Sequence, residues 1–326
     1  MNKYLLVFMA VLIIGCKEEQ EHIIKKKERI VVAHRGASGY LPEHTIAAKA
    51  MAYAMKPDFL EQDLVLTKDG IPMVIHDIYL DDITDVFTVY PSRKRADGRY
   101  YVIDFTYDEL ELLSVHERVN LKNNEPEFKS RFPVKSSVFR LHSLEEELLL
   151  IQGLNKSTGQ NMGIYPEIKN PSFHLKEGQD ISKIVLEVLS NYGYSTQKDK
   201  CMLQCFDPVA LKRIRRELGC QLHLTQLVEE LLTEDQIKEI ASYANAIGPW
   251  YKQLLLEKNA DGTWQIDSLV ERAHAHNLQV IAYTFRADDL SEGQSFEDLL
   301  GLAFDTLNFD GIFTDFPDKV VEYLEE

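Results

Sequence analysis

The chain has 326 residues, with 36 Lys and Arg against 52 Asp and Glu, a formal net charge of −16. Hydrophobic residues at 45% and charged residues at 27% are the profile of a soluble globular protein, which excludes intrinsic disorder, a polytopic membrane protein and a collagen-like repeat. The acidic balance argues against nucleic acid as a partner, because phosphate backbones demand an excess of Lys and Arg, yet it leaves room for a small phosphorylated substrate held by a local cationic site.

Residues 1–16 read MNKYLLVFMAVLIIGC. Lys3 is a basic start, and residues 4–14 are an apolar run too short to span a bilayer, the pattern of a signal peptide over 1–15. The run ends in two aliphatics, a small residue and Cys16, which resembles a bacterial lipobox and makes Cys16 the predicted lipidation site. A charged, Pro-free segment follows and is read as a tether over 16–29. The expectation is an exported lipoprotein, anchored in a membrane through two or more acyl chains and facing the periplasm or the cell surface. Cys201, Cys205 and Cys220 are too few for a disulfide scaffold and are read as buried free thiols.

From residue 30 onward, short apolar β-rich runs alternate with helical patterns. Strands are predicted at 30–33, 59–66, 73–75, 163–168, 201–206, 221–227, 244–247, 280–285 and 311–314. Helices are predicted at 43–55, 144–155, 181–192, 208–218, 234–243, 268–276 and 296–304. Strands alternating with helices imply parallel pairing, and about eight such units suit an α/β fold of the TIM (β/α)8 barrel type over 30–326. No Gly-rich dinucleotide or phosphate loop follows any strand, which weakens a doubly wound sheet. Residues 78–142 break the alternation and are far longer than an ordinary βα loop. They are read as a small inserted subdomain after the second strand region, packed through Tyr100, Tyr101, Phe105, Tyr107, Phe128, Phe132 and Phe139.

Chemistry-bearing residues collect at predicted strand ends, which face the active site in such a barrel. The first strand ends in Ala33-His34-Arg35-Gly36, a titratable ring beside a fixed cation. The second carries Glu61 and Asp63 on one face, two carboxylates that need a neutralising cation inside a barrel. Met73 to Ile75 runs into His76-Asp77, and Tyr165-Pro166-Glu167-Ile168-Lys169 places a third carboxylate and a Lys on one face. Three carboxylates without Cys or His at ligand spacing favour a hard cation, Ca²⁺ or Mg²⁺, over Zn²⁺. Paired carboxylates also occur in glycosidases, but two histidines, Arg35 and Lys169 exceed what a sugar needs and suit a phosphate. His274 and His276 read as solvated, and Trp250 and Tyr251 as core residues with a role in the pocket as the second choice.

The segments HRGASGYLPEHT, EQDLVLTKDGIPMVIHD, PEIK, LQCFDP, YTFRADD and DGIFTDFPD resemble the glycerophosphodiester phosphodiesterase family, over essentially residues 30–326. The stretch from RLHSLEEELLL to KEGQDI is similar to its exported, calcium-dependent bacterial branch. The resemblance implies a TIM barrel with a small insertion after the second catalytic His. It also implies cleavage of a glycerophosphodiester such as glycerophosphocholine into glycerol 3-phosphate and an alcohol. By position it places the catalytic histidines at His34 and His76 and the Ca²⁺ ligands at Glu61, Asp63 and Glu167, with Mg²⁺ as the alternative ion. Substrate-facing residues fall at Arg35, Lys169, Glu43, Gln204 and Phe285. The family pattern Pro-Glu-Asn-Thr is here Pro42-Glu43-His44-Thr45. Two other functions fit the same residues less well: a phospholipase C or D acting on lyso-lipids, which a wide apolar rim on the insertion would favour, and a non-catalytic surface binding lipoprotein.

Overall fold

The computed structural model describes residues 29–134, 138–260 and 262–326. The predicted signal peptide, Cys16 and almost all of the tether lie outside the described residues. Eight parallel strands form the core: β1 (Ile30–Ala33), β2 (Phe59–Leu66), β3 (Gly163–Ile168), β4 (Met202–Cys205), β5 (His223–Val228), β6 (Ala246–Pro249), β7 (Gln279–Phe285) and β8 (Gly311–Thr314). Each pairs with the next, and β1 pairs with both β2 and β8, so the sheet closes into a TIM barrel. Closure leaves the eight barrel strands without a free edge.

Outside the strands lie α1 (Ile46–Ala54), α2 (Leu144–Thr158), α3 (Ile181–Asn191), α4 (Pro208–Arg216), α5 (Glu234–Ala241), α6 (Leu269–Ala275), α7 (Phe296–Gly301) and α8 (Pro317–Glu325). Local sequence starts and stops them. Ser143 and Glu146 form a capping box at the head of α2, and Gly159 ends it in the left-handed region at φ 75°. Thr45 caps α1 through the Ala48 N–H, and Thr233 with Gln236 boxes α5. The helices bury Leu148, Ile151, Val185, Leu211, Ile214 and Ile237 against the outer face of the strands. Each fully buried aliphatic contributes about 1.5–3 kcal/mol. A smaller cluster of Val32, Phe59, Tyr165, Met202, Ile281 and Phe313 packs together as a second core. Among the described residues no helix is long and apolar enough to cross a membrane.

Two predicted elements behave differently from expectation. The run at 73–75 is a short strand, Pro72–Val74, that pairs antiparallel with β2 and stands outside the barrel. A chain returning directly through the Lys68-Asp69-Gly70 turn can pair only antiparallel. The described residues of 78–142 carry short helices Val86–Val89 and Tyr107–Leu110 and four two-residue strands, Ser114–Val115 paired with Phe139–Arg140 and Val119–Asn120 paired with Glu125–Pro126. Their own apolar cluster includes Leu80, Ile83, Val86, Val102, Phe105, Leu110 and Val115. The predicted aromatics are packed: Tyr100 and Phe105 are buried, Phe132 meets Phe139 edge to face at 5.5 Å, and Tyr101 stacks on Phe173 at 5.7 Å. Cys201, Cys205 and Cys220 are buried and free.

Candidate active site

The C-terminal ends of the strands surround a cavity of about 690 Å³. One side is charged, lined by His34, Arg35, Glu61, Asp63, His76, Glu167 and Lys169, and the other is formed by Phe173, Phe206, Leu227, Trp250 and Tyr283. Strand period explains the convergence: Glu61 and Asp63 are two apart on β2, and the barrel register sets Asp63 beside Glu167 and Glu167 beside Gln204.

His34 sits just past β1, where the chain turns sharply. Arg35 has φ 57° and Gly36 φ 86°, and a Cβ on Gly36 would lie 2.9 Å from the Ala48 carbonyl. Glycine is therefore required for the turn to approach α1 this closely. The His34 Nδ1 lies 2.6 Å from Asp315 Oδ1, and Asp315 Oδ2 accepts from Arg131 and Arg286, each at 2.7 Å. Burial alone would raise the Asp315 carboxyl, but Arg286, His34 and Arg131 hold it well below the usual range. An ionised carboxylate only accepts, so Nδ1 of the ring donates and Nε2 keeps its lone pair. Burial pushes the His34 pKa down to about 4, so the ring is neutral at pH 7.

His76 follows the antiparallel strand, with Nδ1 2.9 Å from Asp77 Oδ1. Burial, with the charges of Arg35 and Lys169, lowers its pKa to about 4. Arg118, from the insertion, reaches in to donate to Asp77 at 2.6 Å and to both oxygens of Glu43 at 2.6 and 3.0 Å. Glu43 also accepts from Arg35 at 2.8 Å. Burial opposes ionisation of Glu43, but Arg118 and Arg35 hold its carboxyl well below the normal range.

Glu61, Asp63 and Glu167 are each 5% exposed or less. Glu61 Oε2 accepts the Arg35 backbone N–H at 2.5 Å. Lys169 Nζ lies 2.7 Å from Glu167 Oε1 and 3.6 Å from Asp63 Oδ1. Burial and the Asp63 charge push Glu61 well up, and burial brings Glu167 up to about 7 despite Lys169. Asp63 is held well down, against burial, by Lys169, His76 and His44. Three buried carboxylates around Lys169 and an Arg35 that divides its charge between Asp63 at 3.7 Å and Glu43 thus lack enough positive charge to ionise together. Asp63 Oδ1 is buried with no hydrogen-bond partner. An all-oxygen donor set with an orphaned carboxylate oxygen fits a hard divalent cation. Donor atoms of His44, Glu61 and Asp63 lie within 4.8 Å of one another. His44, however, spends its Nε2 on Asp63 Oδ2 at 2.7 Å, so it braces that carboxylate. Its backbone φ is 56°, a region in which Asn and His are both enriched, which explains why His substitutes for the family's Asn.

The structure corrects several sequence-based assignments. Phe285 does not line the cavity: it is fully buried, stacked on Tyr251 at 4.4 Å and edge-on to Phe309 at 6.3 Å. The pairing of β7 with β8 shifts register between Ala282 and Phe285, so the alternation that turns Tyr283 toward the cavity does not carry Phe285 there. Glu43 lies behind Arg35 and holds it without lining the cavity itself. Gln204 does line it, with a buried Oε1 that has no partner. Trp250, expected in the core, is 42% exposed at the cavity wall, while Tyr251 is buried. His274 and His276 are only partly exposed and pair with Asp310 at 2.8 Å and Glu234 at 2.7 Å. Among the described residues of 78–142 none lines the cavity, and the insertion reaches its lining residues through Arg118 on Asp77, Arg131 by way of Asp315 on His34, and Tyr101, which stacks on Phe173. Sequence reading missed Asp315, Asp77, His44, Arg118 and Arg131 as site residues. Asp315 and Asp77 had a signal, a carboxylate at a strand end. The two arginines had none, because only the folded insertion carries them to the barrel.

The profile of the glycerophosphoryl diester phosphodiesterase family matches residues 34–319. A glycerophosphodiester phosphodiesterase of Haemophilus influenzae is 41% identical, with 95% of this chain and 94% of that protein aligned. One from Treponema pallidum is 36% identical over 97% and 94%. Among solved structures, a glycerophosphoryl diester phosphodiesterase from Silicibacter pomeroyi superposes with a TM-score of 0.68 at 22% identity, covering 92% of this chain and 94% of that one. A phosphodiesterase of Oleispira antarctica, solved with the product sn-glycerol-3-phosphate, gives 0.64 at 19% identity over 91% and 97%. These last two likenesses concern the fold. The family match and the two close relatives, over nearly the whole chain, establish that this chain belongs to the glycerophosphoryl diester phosphodiesterase family and is an enzyme of that family, a phosphoric diester hydrolase.

Proposed function

We propose that the chain hydrolyses glycerophosphodiesters, glycerophosphocholine among them, to glycerol 3-phosphate and an alcohol, with a divalent cation and two histidines as general acid and base. The observation that carries this reading is the meeting of His34, His76, Arg35 and Lys169 with three buried carboxylates in one cavity. Glu61, Asp63 and Glu167 would hold the ion, Ca²⁺ by the family resemblance with Mg²⁺ as the alternative. When bound it would supply positive charge for the phosphoryl oxygens and orientation for the glycerol hydroxyls. Arg35 and Lys169 place two fixed cations where charge builds on the phosphoryl group, commonly the largest catalytic contribution. One of His34 and His76 takes the proton of the attacking hydroxyl as the P–O bond forms. The other, which first takes a proton onto Nε2 from solvent when the anionic diester lies against it, delivers that proton to the alcohol oxygen as its bond to phosphorus breaks. Asp315 and Asp77 hold the two rings by their Nδ1 atoms, leaving Nε2 for this exchange.

The test is release of glycerol 3-phosphate from glycerophosphocholine with Ca²⁺ and then with EGTA. Activity should vanish on chelation and return with Ca²⁺, and His34→Ala or His76→Ala should each lower kcat by about 10²-fold or more. Robust activity that ignores chelation, or a folded His variant at near-normal rate, overturns the corresponding part. The N-terminal pattern supports attachment at Cys16 to a membrane outside the cytoplasm, facing the periplasm or cell surface. The net charge of −16 supports small diesters over nucleic acid as the partner.

A further inference from the structure

The insertion sends two arginines from one short segment, 118–131, onto the two histidine–carboxylate pairs. Between them runs the small hairpin of Val119–Asn120 with Glu125–Pro126. Its backbone is pinned beside the site: the Arg118 carbonyl accepts the Glu127 N–H at 2.9 Å, and the Val119 N–H donates to the Asp82 carbonyl at 2.9 Å. The Arg118 side chain completes one line of contacts. His76 Nδ1 meets Asp77 Oδ1 at 2.9 Å, and Asp77 Oδ2 accepts from Arg118 at 2.6 Å. The other N–H groups of Arg118 grip both oxygens of Glu43, a fork that a lysine cannot reproduce. Arg131 completes the second line. His34 Nδ1 meets Asp315 Oδ1 at 2.6 Å, and Asp315 Oδ2 accepts from Arg131 at 2.7 Å. The Arg131 guanidinium lies 3.6 Å over the Phe128 ring and donates to both oxygens of Asp288, which fixes its plane.

An arginine that only fastened the insertion to the barrel could use any surface acid. Here each takes the second oxygen of the one carboxylate whose first oxygen orients a histidine. Asp82, the other acid near Arg118, is 3.8 Å away and already holds Arg99 at 2.9 Å. Glu117 does not compete either, since burial and the Glu43 charge push its carboxyl up to about 8 and leave it neutral at pH 7. A carboxylate gripped at one oxygen cannot swing, so the other stays on Nδ1 and the ring presents Nε2 to the cavity. The two lines differ in redundancy. Asp315 also accepts from Arg286 at 2.7 Å, whereas Arg118 is the one arginine or lysine on Asp77 among the described residues. We infer that the insertion is a positioning element for both proton-transfer groups, with Arg118 holding the aim of His76 through Asp77 and Arg131 that of His34 through Asp315. This positioning role rests on the two-histidine hydrolysis proposed above.

The experiment compares glycerophosphocholine with the p-nitrophenyl ester of glycerol 3-phosphate, whose leaving oxygen departs without a proton. Arg118→Ala should lower kcat on glycerophosphocholine about 10–10²-fold, and Arg131→Ala by less, because Arg286 stays on Asp315. Arg118→Lys, which keeps the charge without the fork, covers the case in which alanine prevents folding and should lose nearly as much. One histidine is the acid and the other the base. On the nitrophenyl ester the arginine behind the acid should therefore lose almost all its effect, and the arginine behind the base should keep it. Arg93→Ala, which cuts the insertion's bond to Glu109 away from both histidines, should move both esters alike. Equal losses on both esters for both arginines, or near-normal rates in the folded variants, overturn the positioning role. Ring-nitrogen NMR gives a readout that needs no turnover, since the shifts report which nitrogen carries the proton. The Arg118 variant should disturb His76 and leave His34, and the Arg131 variant the reverse. If the wild type cleaves neither ester while the shifts follow this pairing, the hydrolysis reading falls and the positioning stands. If both esters are cleaved and neither ring responds, the positioning falls and the hydrolysis reading stands.

Discussion

Replacing Asp315 by Asn tests how the barrel aims its first histidine. The substitution keeps the shape but exchanges an obligate acceptor for a group that can also donate. Asp315 Oδ1 fixes the His34 Nδ1 proton at 2.6 Å, while Oδ2 is gripped by Arg131 and Arg286 at 2.7 Å each. Those two guanidinium groups favour the Asn oxygen on their side, which turns the amide NH₂ toward His34. The ring must then accept at Nδ1 and carry its proton on Nε2, the wrong tautomer for a base and one that resists the second proton an acid needs. General-base action contributes about 10²–10⁴-fold, and loss of the correct tautomer forfeits most of it, so kcat should fall by about 10²–10⁴, or roughly 3–5.5 kcal/mol of barrier. Removing the buried charge should also lower stability by about 3 kcal/mol, the lower end for a broken buried pair, since Arg131 retains Asp288 at 2.8 and 3.0 Å. The assay is steady-state release of glycerol 3-phosphate, with urea unfolding on the same preparation. A folded Asp315→Asn enzyme within tenfold of the wild-type kcat would refute the orientation argument.

Behind the carboxylates, Lys49 is fully buried and pairs with Glu147 at 3.1 Å, while Glu147 also takes Gln62 at 2.8 Å and His142 at 2.7 Å. Lys49→Met should strand Glu147 and cost roughly 3–5 kcal/mol in denaturant unfolding; a loss below about 1 kcal/mol would show the pair to be dispensable. Added Ca²⁺ should raise the unfolding midpoint of the wild type, and Asp63→Asn should abolish that rise, because binding to the folded state alone stabilises it by mass action. The Ca²⁺ concentration needed should increase as pH falls through about 7, where Glu167 takes up the proton it must lose to bind the ion; a requirement independent of pH from 6 to 8 would remove Glu167 from the ligand set. Burial lowers the His34 and His76 pKa values to about 4, so in the metal-saturated enzyme the base should keep its free Nε2 until pH falls toward 4, while the acid ring gains its proton only with the anionic diester bound; an acid limb of kcat/KM at 6.5 would contradict the burial reading.

Much of the molecule was legible along the chain because its signals are local. Period-two alternation set Glu61 and Asp63 on one face, Pro166-Glu167-Ile168-Lys169 marked another strand end, and turn and capping residues spaced the βα units. These depend on a few neighbouring residues, whose conformations the backbone restricts strongly. The antiparallel strand at Pro72–Val74 differed because direction of pairing follows from the length of the return path, a feature of the chain's route in space. Phe285 was misplaced because a motif locates a residue along the strand but does not show the register shift between Ala282 and Phe285 that sends its ring onto Tyr251 instead of into the cavity.

Contacts between distant segments were legible only in three dimensions. Arg118 and Arg131 sit in a charged insertion where each looks like a surface residue, yet one ties Glu43 to Asp77 and the other reaches Asp315, 184 positions away. By itself the sequence determined the barrel, the alternation of its elements and the residue types at each strand end, since these follow from local periodicity. The tertiary structure alone decided which histidine is held by which acid, which arginines are spent on structure and which groups stay unpaired for a ligand, because such partnerships depend on distances that chain separation does not encode.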